Sequence, residues 1–192
     1  MNNKDILLEL ERENQKKFPV LREILGGICY LAAVVAVSLL VVIYVVQRTE
    51  VIGPSMNDTL ADGESLLINK LSYHFHDPER FDVIVFDYEF RADTHYIKRI
   101  IGLPGEVVQI KEGIVYINGE RLEDPYGKEV IINPKRASEP VVLGEDEYFV
   151  LGDNRNNSSD SRDLDVGNVK KDQIIGKILI RIWPLNRFGG IE

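Results

Sequence analysis

The sequence predicts a mainly β protein in which a single N-terminal transmembrane helix precedes an antiparallel β-sheet or barrel-like domain. Three observations predict it. Residues 24–46, ILGGICYLAAVVAVSLLVVIYVV, hold no charge and 20 apolar residues in 23. Beyond them, short runs rich in Val, Ile, Tyr and Phe recur between Gly, Asn, Asp and Pro. No ten-residue stretch after position 60 carries a helical period.

The apolar segment is long enough to cross a hydrocarbon layer of ~30 Å as a helix. A core helix of a soluble protein would show a polar face, and this segment has none. A cleaved leader has an apolar stretch of roughly 7–15 residues that ends in small residues, whereas this one ends Tyr44-Val45-Val46-Gln47-Arg48. An uncleaved anchor is therefore expected, with Cys29 inside it as a small apolar residue.

Arg12, Lys16, Lys17 and Arg22 precede the span, and Arg48 alone follows closely. Basic flanks stay in the cytoplasm, which places residues 1–23 inside and residues 47–192 across the membrane. The tail carries five basic and five acidic side chains, so the net charge of -8 belongs wholly to the outer part. Such an acidic domain lacks the basic face that nucleic acid requires, and it meets an anionic bilayer only through local apolar contact. With one Cys and three His, the chain has no disulfide framework and no multi-cysteine zinc pattern.

Strands are expected at Ser65–Asn69, Phe81–Tyr88, His95–Gly102, Val107–Lys111, Ile114–Asn118, Val141–Leu143, Tyr148–Leu151 and Gln173–Trp183. Val107–Asn118 alternates on both sides of Glu112-Gly113, the signature of a tight hairpin. Asp124–Pro140 is polar and turn-rich and reads as an exposed excursion. His74-Phe75-His76 would put two imidazoles on one face of a strand, with no third ligand in view. No phosphate-cradling glycine motif occurs, so nucleotide binding has no support.

Three segments carry chemistry when taken together. Gly53-Pro54-Ser55-Met56 presents a hydroxyl in a turn just past the span. In Tyr96-Ile97-Lys98-Arg99-Ile100-Ile101-Gly102-Leu103-Pro104-Gly105, strand alternation puts Lys98 and Arg99 on opposite faces among apolar neighbours. Either both cations lie on a half-exposed edge, or Lys98 is desolvated and its pKa falls. The eleven residues Gly152 to Arg162, GDNRNNSSDSR, lack any large apolar side chain and read as a loop, either solvated or rich in groups that fix neighbours. Ser55 and Lys98 together make a candidate Ser–Lys dyad. A lysine with pKa ~10.4 is neutral in about one molecule in 2,500 at pH 7, and one with pKa ~8 in about a tenth.

These motifs, in this order behind a membrane anchor and with Thr59-Leu60 after the serine, resemble bacterial type I signal peptidases over roughly residues 25–185. The single span resembles the Gram-positive branch. The resemblance implies a membrane-bound serine endopeptidase that removes signal peptides from exported preproteins and needs no cofactor. It implies that Ser55 is the nucleophile, Lys98 the general base and Ser158 a serine that hydrogen-bonds the lysine. It pairs Asp160 with Arg162 beneath the site and Asp153 with Arg99. Met56, Leu60, Tyr96 and Ile97 would flank shallow pockets for small residues, such as Ala, at the first and third positions before the cut. Two positions depart from the family's pattern. Gly53 stands where many Gram-negative members have an oxyanion-binding serine, and Asp58 stands where proline is usual. Two other readings remain at this stage: a self-cleaving regulator with the same dyad, and an anchored, non-enzymatic β-domain that serves as a binding module.

Overall fold

A computed structural model describes residues 3–89, 91 and 94–191. Met1, Asn2 and Glu192, which belong to the expected tail and outer domain, lie outside the described residues. So do the side chains of residues 3, 10–20 and 42–44, which include three of the basic residues used to orient the span. The chain divides into two units, Met1–Tyr44 and Val45–Glu192.

The first unit is one helix, α1 (Asn3–Tyr44). The tail is thus the first part of the same helix. Its apolar window, Leu21–Val41, has a mean hydropathy of 2.6 over 21 residues. At 1.5 Å per residue that is about 30 Å of helix, long and apolar enough to cross a membrane. The helix stops at Tyr44, and Val46, expected as the last residue of the span, is already in a strand.

The second unit is built from twelve strands: β1 (Val46–Glu50), β2 (Ser65–Asn69), β3 (Val83–Asp87), β4 (His95–Gly102), β5 (Val107–Lys111), β6 (Ile114–Ile117), β7 (Glu120–Arg121), β8 (Val141–Val142), β9 (Glu147–Leu151), β10 (Val169–Lys170), β11 (Ile174–Trp183) and β12 (Gly189–Gly190). All pairings are antiparallel. The larger sheet runs β1-β2-β11-β3-β4-β9-β10, with β12 on β11, and the smaller runs β7-β6-β5-β8. The expected hairpin is present, with Glu112 and Gly113 both at positive φ, the geometry a two-residue turn needs. The segment at His74 is a correction: Ser72–Phe75 forms a short helix, α2, rather than a strand, and both imidazoles are exposed.

The core follows the alternation. Val51, Met56, Leu60, Leu66 and Ile68 pack with Val83 and Val85 on the larger sheet. Ile101, Phe149 and Leu151 of that sheet pack against Val108, Ile110, Val115 and Ile117 of the smaller one. Each fully buried aliphatic side chain here contributes roughly 1.5–3 kcal/mol of transfer energy. Gly102 marks where the two sheets meet, since an added Cβ would lie 2.5 Å from Val108 Cγ2. Only glycine permits that approach. The stretch 124–140 is largely exposed as expected, but Ile131 and Ala137 are buried and insert into the core of the smaller sheet.

Two edges matter for the site. β9 pairs only with Arg99–Gly102, so the His95–Lys98 half of β4 has no strand on that side. The burial pattern of β4 changes at the same point, half-exposed before Lys98 and buried from it onward.

Candidate active site

The open half of β4 forms one wall of a cleft of about 490 Å³. Apolar lining comes from Val51, Ile52, Met56, Val85, Tyr96 and Ile97, and the opposite wall is Asn156–Ser159. Ser55 and Lys98 both face this space. Leu60 does not line it. Leu60 is fully buried in the core beside Met56, which corrects its expected place in a substrate pocket. Its position one turn beyond Met56 turns it into the sheet, where the main-chain bond from the Leu60 N–H to Met56 O holds it.

Lys98 Nζ lies 2.9 Å from Ser55 Oγ and donates to Ile97 O, also at 2.9 Å. Only 3% of the lysine is exposed. Among the described residues no carboxylate forms an ion pair with it. Burial lowers its pKa from 10.5 to about 8, while the charges of Asp160 and then Asp153 pull more weakly the other way. Tyr96 adds its ring face 5.1 Å from Nζ.

Arg99 points to the other side of β4, as alternation requires. Its Nε and Nη2 donate to Asp153 at 2.9 and 2.7 Å, and Nη1 donates to Phe81 O. Thr59 Oγ1 also donates to Asp153, which ties the segment after Ser55 to the same carboxylate. Asp160 and Arg162 form a second buried pair at 2.8 Å, and Asp160 also accepts the Gly152 N–H. The loop that reads as polar in sequence is therefore largely inside the protein, with each buried charge facing an opposite one within ion-pair distance.

Ser158 lies on the cleft wall, but its buried hydroxyl has no hydrogen-bond partner among the described residues. The bond to the lysine that the resemblance implies is not formed here, because Nζ is directed to Ser55 and Ile97. Gly152 explains the crowding: an added Cβ would lie 2.3 Å from Ser158 Oγ and 2.4 Å from Ser55 O.

The turn before and after Ser55 uses the two unusual residues. Gly53 has φ +90° and gives its N–H to Asp62 at 2.7 Å. Asp58 has φ +79°, a conformation closed to proline, whose ring fixes φ near -65°. The departure from the family's usual proline is thus accompanied by a different backbone at that position.

Sequence reasoning missed the residue that fixes this turn. Asn154 donates its N–H to Ser55 O and its Nδ2 to Pro54 O, both at 3.1 Å. A hundred residues separate Asn154 from Pro54, so only the density of short amides in the loop hinted at it.

Comparison with known proteins places the chain in a family. Residues 24–183 match the family described as signal peptidase, peptidase S26. A signal peptidase I of Leptolyngbya laminosa is 38% identical over 173 residues, covering 86% of this chain and 83% of that protein. Signal peptidase IB of Staphylococcus aureus (strain COL) is 33% identical over 182 residues, covering 87% and 93%. A crystal structure of a signal peptidase I from Enterococcus faecalis V583 aligns with 33% identity and a TM-score of 0.45, covering 53% of this chain and 97% of that one. The class is therefore serine endopeptidase. Within that class the chain belongs to the bacterial type I signal peptidase family, whose reaction is the cleavage of signal peptides from exported preproteins.

Proposed function

We propose that this chain cleaves signal peptides with a Ser–Lys dyad in which Ser55 is the nucleophile and Lys98 the general base. The observation that carries this reading is the 2.9 Å contact between Ser55 Oγ and a lysine amine shielded from water. With a pKa of about 8, that amine is neutral in about a tenth of molecules at pH 7, about 250-fold more than an exposed lysine. The neutral amine takes the Ser55 proton as Oγ attacks the scissile carbonyl. The ammonium then gives that proton to the leaving amine, and a water deprotonated by Lys98 releases the acyl group from Ser55. Metal ions and organic cofactors have no part in this sequence.

The oxyanion is assigned to the Ser55 main-chain N–H, which donates to no group among the described residues. Gly53 is not the second donor, because Asp62 already takes its N–H. Supporting roles go to Asp153 with Arg99 and to Asp160 with Arg162, which hold the loop beneath the dyad. Ser158 joins them through its unpaired hydroxyl on the cleft wall.

Substrate is proposed to lie as an added strand along the open half of β4, where main-chain bonds supply affinity. Met56, Tyr96 and Ile97, with Val85 beside them, leave room for small side chains, which suits Ala at the first and third positions before the cut. We assign α1 as the membrane anchor, with residues 1–23 in the cytoplasm and residues 47–192 outside.

Purified full-length protein and a preprotein with an Ala-x-Ala site test the reading. Cleavage is expected to vanish in folded Ser55→Ala and Lys98→Ala variants, and cleavage that survives both overturns the dyad.

A further inference from the structure

The polar excursion after β7 has not yet been given a role, and it touches the 152–156 loop at three places. Asp124 accepts the Tyr126 and Gly127 N–H groups on Oδ1, at 3.0 and 3.2 Å, so the turn folds around its carboxylate. Oδ2 is left for Arg155, whose Nη2 lies 2.6 Å away, and both side chains are nearly or fully buried at 9% and 2%. Gly127 lies flat on that guanidinium, since an added Cβ would come within 2.2 Å of Arg155 Nη1. Tyr126 covers the other arginine, with Arg99 Cζ 3.4 Å from its ring centroid and the Phe81 ring tilted against it at 5.5 Å. Further along, Asn156 donates to the Glu129 carboxylate and Val130 O and accepts the Ile132 N–H, at 2.9–3.0 Å.

The two arginines are the ones that hold the loop under Ser55. Arg155 Nε donates to Gly152 O, and Arg99 grips Asp153. Gly152 packs against Ser55 O, and Asn154 bonds to it. No residue of 124–127 lines the cleft. Any effect on the reaction therefore passes through the arginines.

We propose that the turn Asp124–Gly127 positions the active site, with Asp124 setting Arg155 and Tyr126 setting Arg99, so that the smaller sheet's excursion locks the loop that carries Ser55's main-chain partners. A guanidinium stacked under a ring gains attraction and is shielded from water, and a bidentate pair to a carboxylate depends on that fixed plane. The role rests on the Ser–Lys reading, because positioning is read out at Ser55 and Lys98. Loss of the ring lets water reach the Arg99–Asp153 pair. Asp153 and Asp160 are the charges that act on Lys98, and both a looser Asp153 pair and easier hydration favour its ammonium.

The test compares Tyr126→Ala, Tyr126→Phe and Asp124→Asn in the full-length protein, with folding checked by circular dichroism. Tyr126→Ala is expected to lower kcat by about tenfold or more with KM within about twofold, as expected when reacting groups are misplaced. It should also move the acid limb of kcat/KM upward by roughly one pH unit. Tyr126→Phe keeps the ring and should match the parent. A folded Tyr126→Ala variant with unchanged kcat and pH limb overturns the proposal, as does an equal loss in Tyr126→Phe. If Tyr126→Ala does not fold, Asp124→Asn is read by the same criteria. Amide exchange over residues 152–158, measured in a Ser55→Ala background, needs no cleavage. Faster exchange on adding Tyr126→Ala supports positioning, and unchanged exchange overturns it, whatever becomes of the dyad.

Discussion

Lys98 and Arg99 are consecutive residues of β4, yet among the described residues the lysine has no carboxylate in contact and the arginine makes two bonds to Asp153. Strand alternation alone separates them, and the separation gives two buried cations opposite chemistry. The arginine is gripped by a carboxylate partner. The lysine is pushed toward neutrality by its surroundings and keeps one hydroxyl within reach.

The first prediction concerns pH. Under the proposed dyad, kcat/KM rises with pH as Lys98 loses its proton and is half-maximal near pH 8. Ser55→Ala and Lys98→Ala should each cost roughly 10⁴-fold or more, the scale seen when members of a nucleophile–base unit are removed. Initial rates of preprotein cleavage from pH 6 to 10 check this. A profile flat across pH 7–9 removes the lysine from the base role.

Stability provides a second check that needs no substrate. Above pH 10.5 Lys98 is neutral both folded and unfolded. As the pH falls from there, the unfolded chain takes up the proton first, so folding stability drops until about pH 8 and the deficit is constant below. That deficit is about 3 kcal/mol at pH 7, on the order of two and a half pKa shifts of 1.4 kcal/mol. Lys98→Met should therefore be inactive, more stable than the parent in urea at pH 7, and no more stable near pH 11. Equal urea midpoints at pH 7 would show that the amine is not desolvated.

Gly152→Ala should damage the rate far more than the fold. The new Cβ meets the Ser158 hydroxyl, which can rotate, and Ser55 O, which belongs to the main chain and cannot move alone. A displacement of the serine near 1 Å costs about 100-fold in kcat. Single-turnover cleavage by the folded variant measures it, and a loss below threefold would mean that the loop yields freely.

Asp58→Pro restores the residue usual in the family but not the backbone. With φ at +79°, proline must rebuild the turn that follows Ser55, which should lower stability by about 1–3 kcal/mol and reduce activity with it. A neutral outcome in both urea melting and cleavage would show that this turn takes either conformation.

How much of this was legible depends on where each partner lies. Strands of five residues or more with a clear period read correctly, and His95–Gly102 and Val107–Lys111 match residue for residue. The two-residue strands at Glu120, Val169 and Gly189 have no period to read. Val46–Glu50 went unseen because its polar residues suit an edge and its pairing with Ser65–Asn69 depends on a distant segment. The burial of Arg155 was hidden for the same reason, since its partner Asp124 lies tens of residues away. The meeting of Ser55 and Lys98 was legible through motif order. The pairing of Ser158 with the lysine and the pocket place of Leu60 were not borne out, because neither follows from adjacency to a motif.

The gap beside His95–Lys98 is four residues long. An unpaired row of amides ordinarily invites sister molecules to stack and aggregate. One this brief gives too few rungs to seed a fibril but, under the proposed strand addition, enough to grip a single passing polypeptide for a moment. Brevity here works as a safeguard: the opening is too small to glue the proteins to one another.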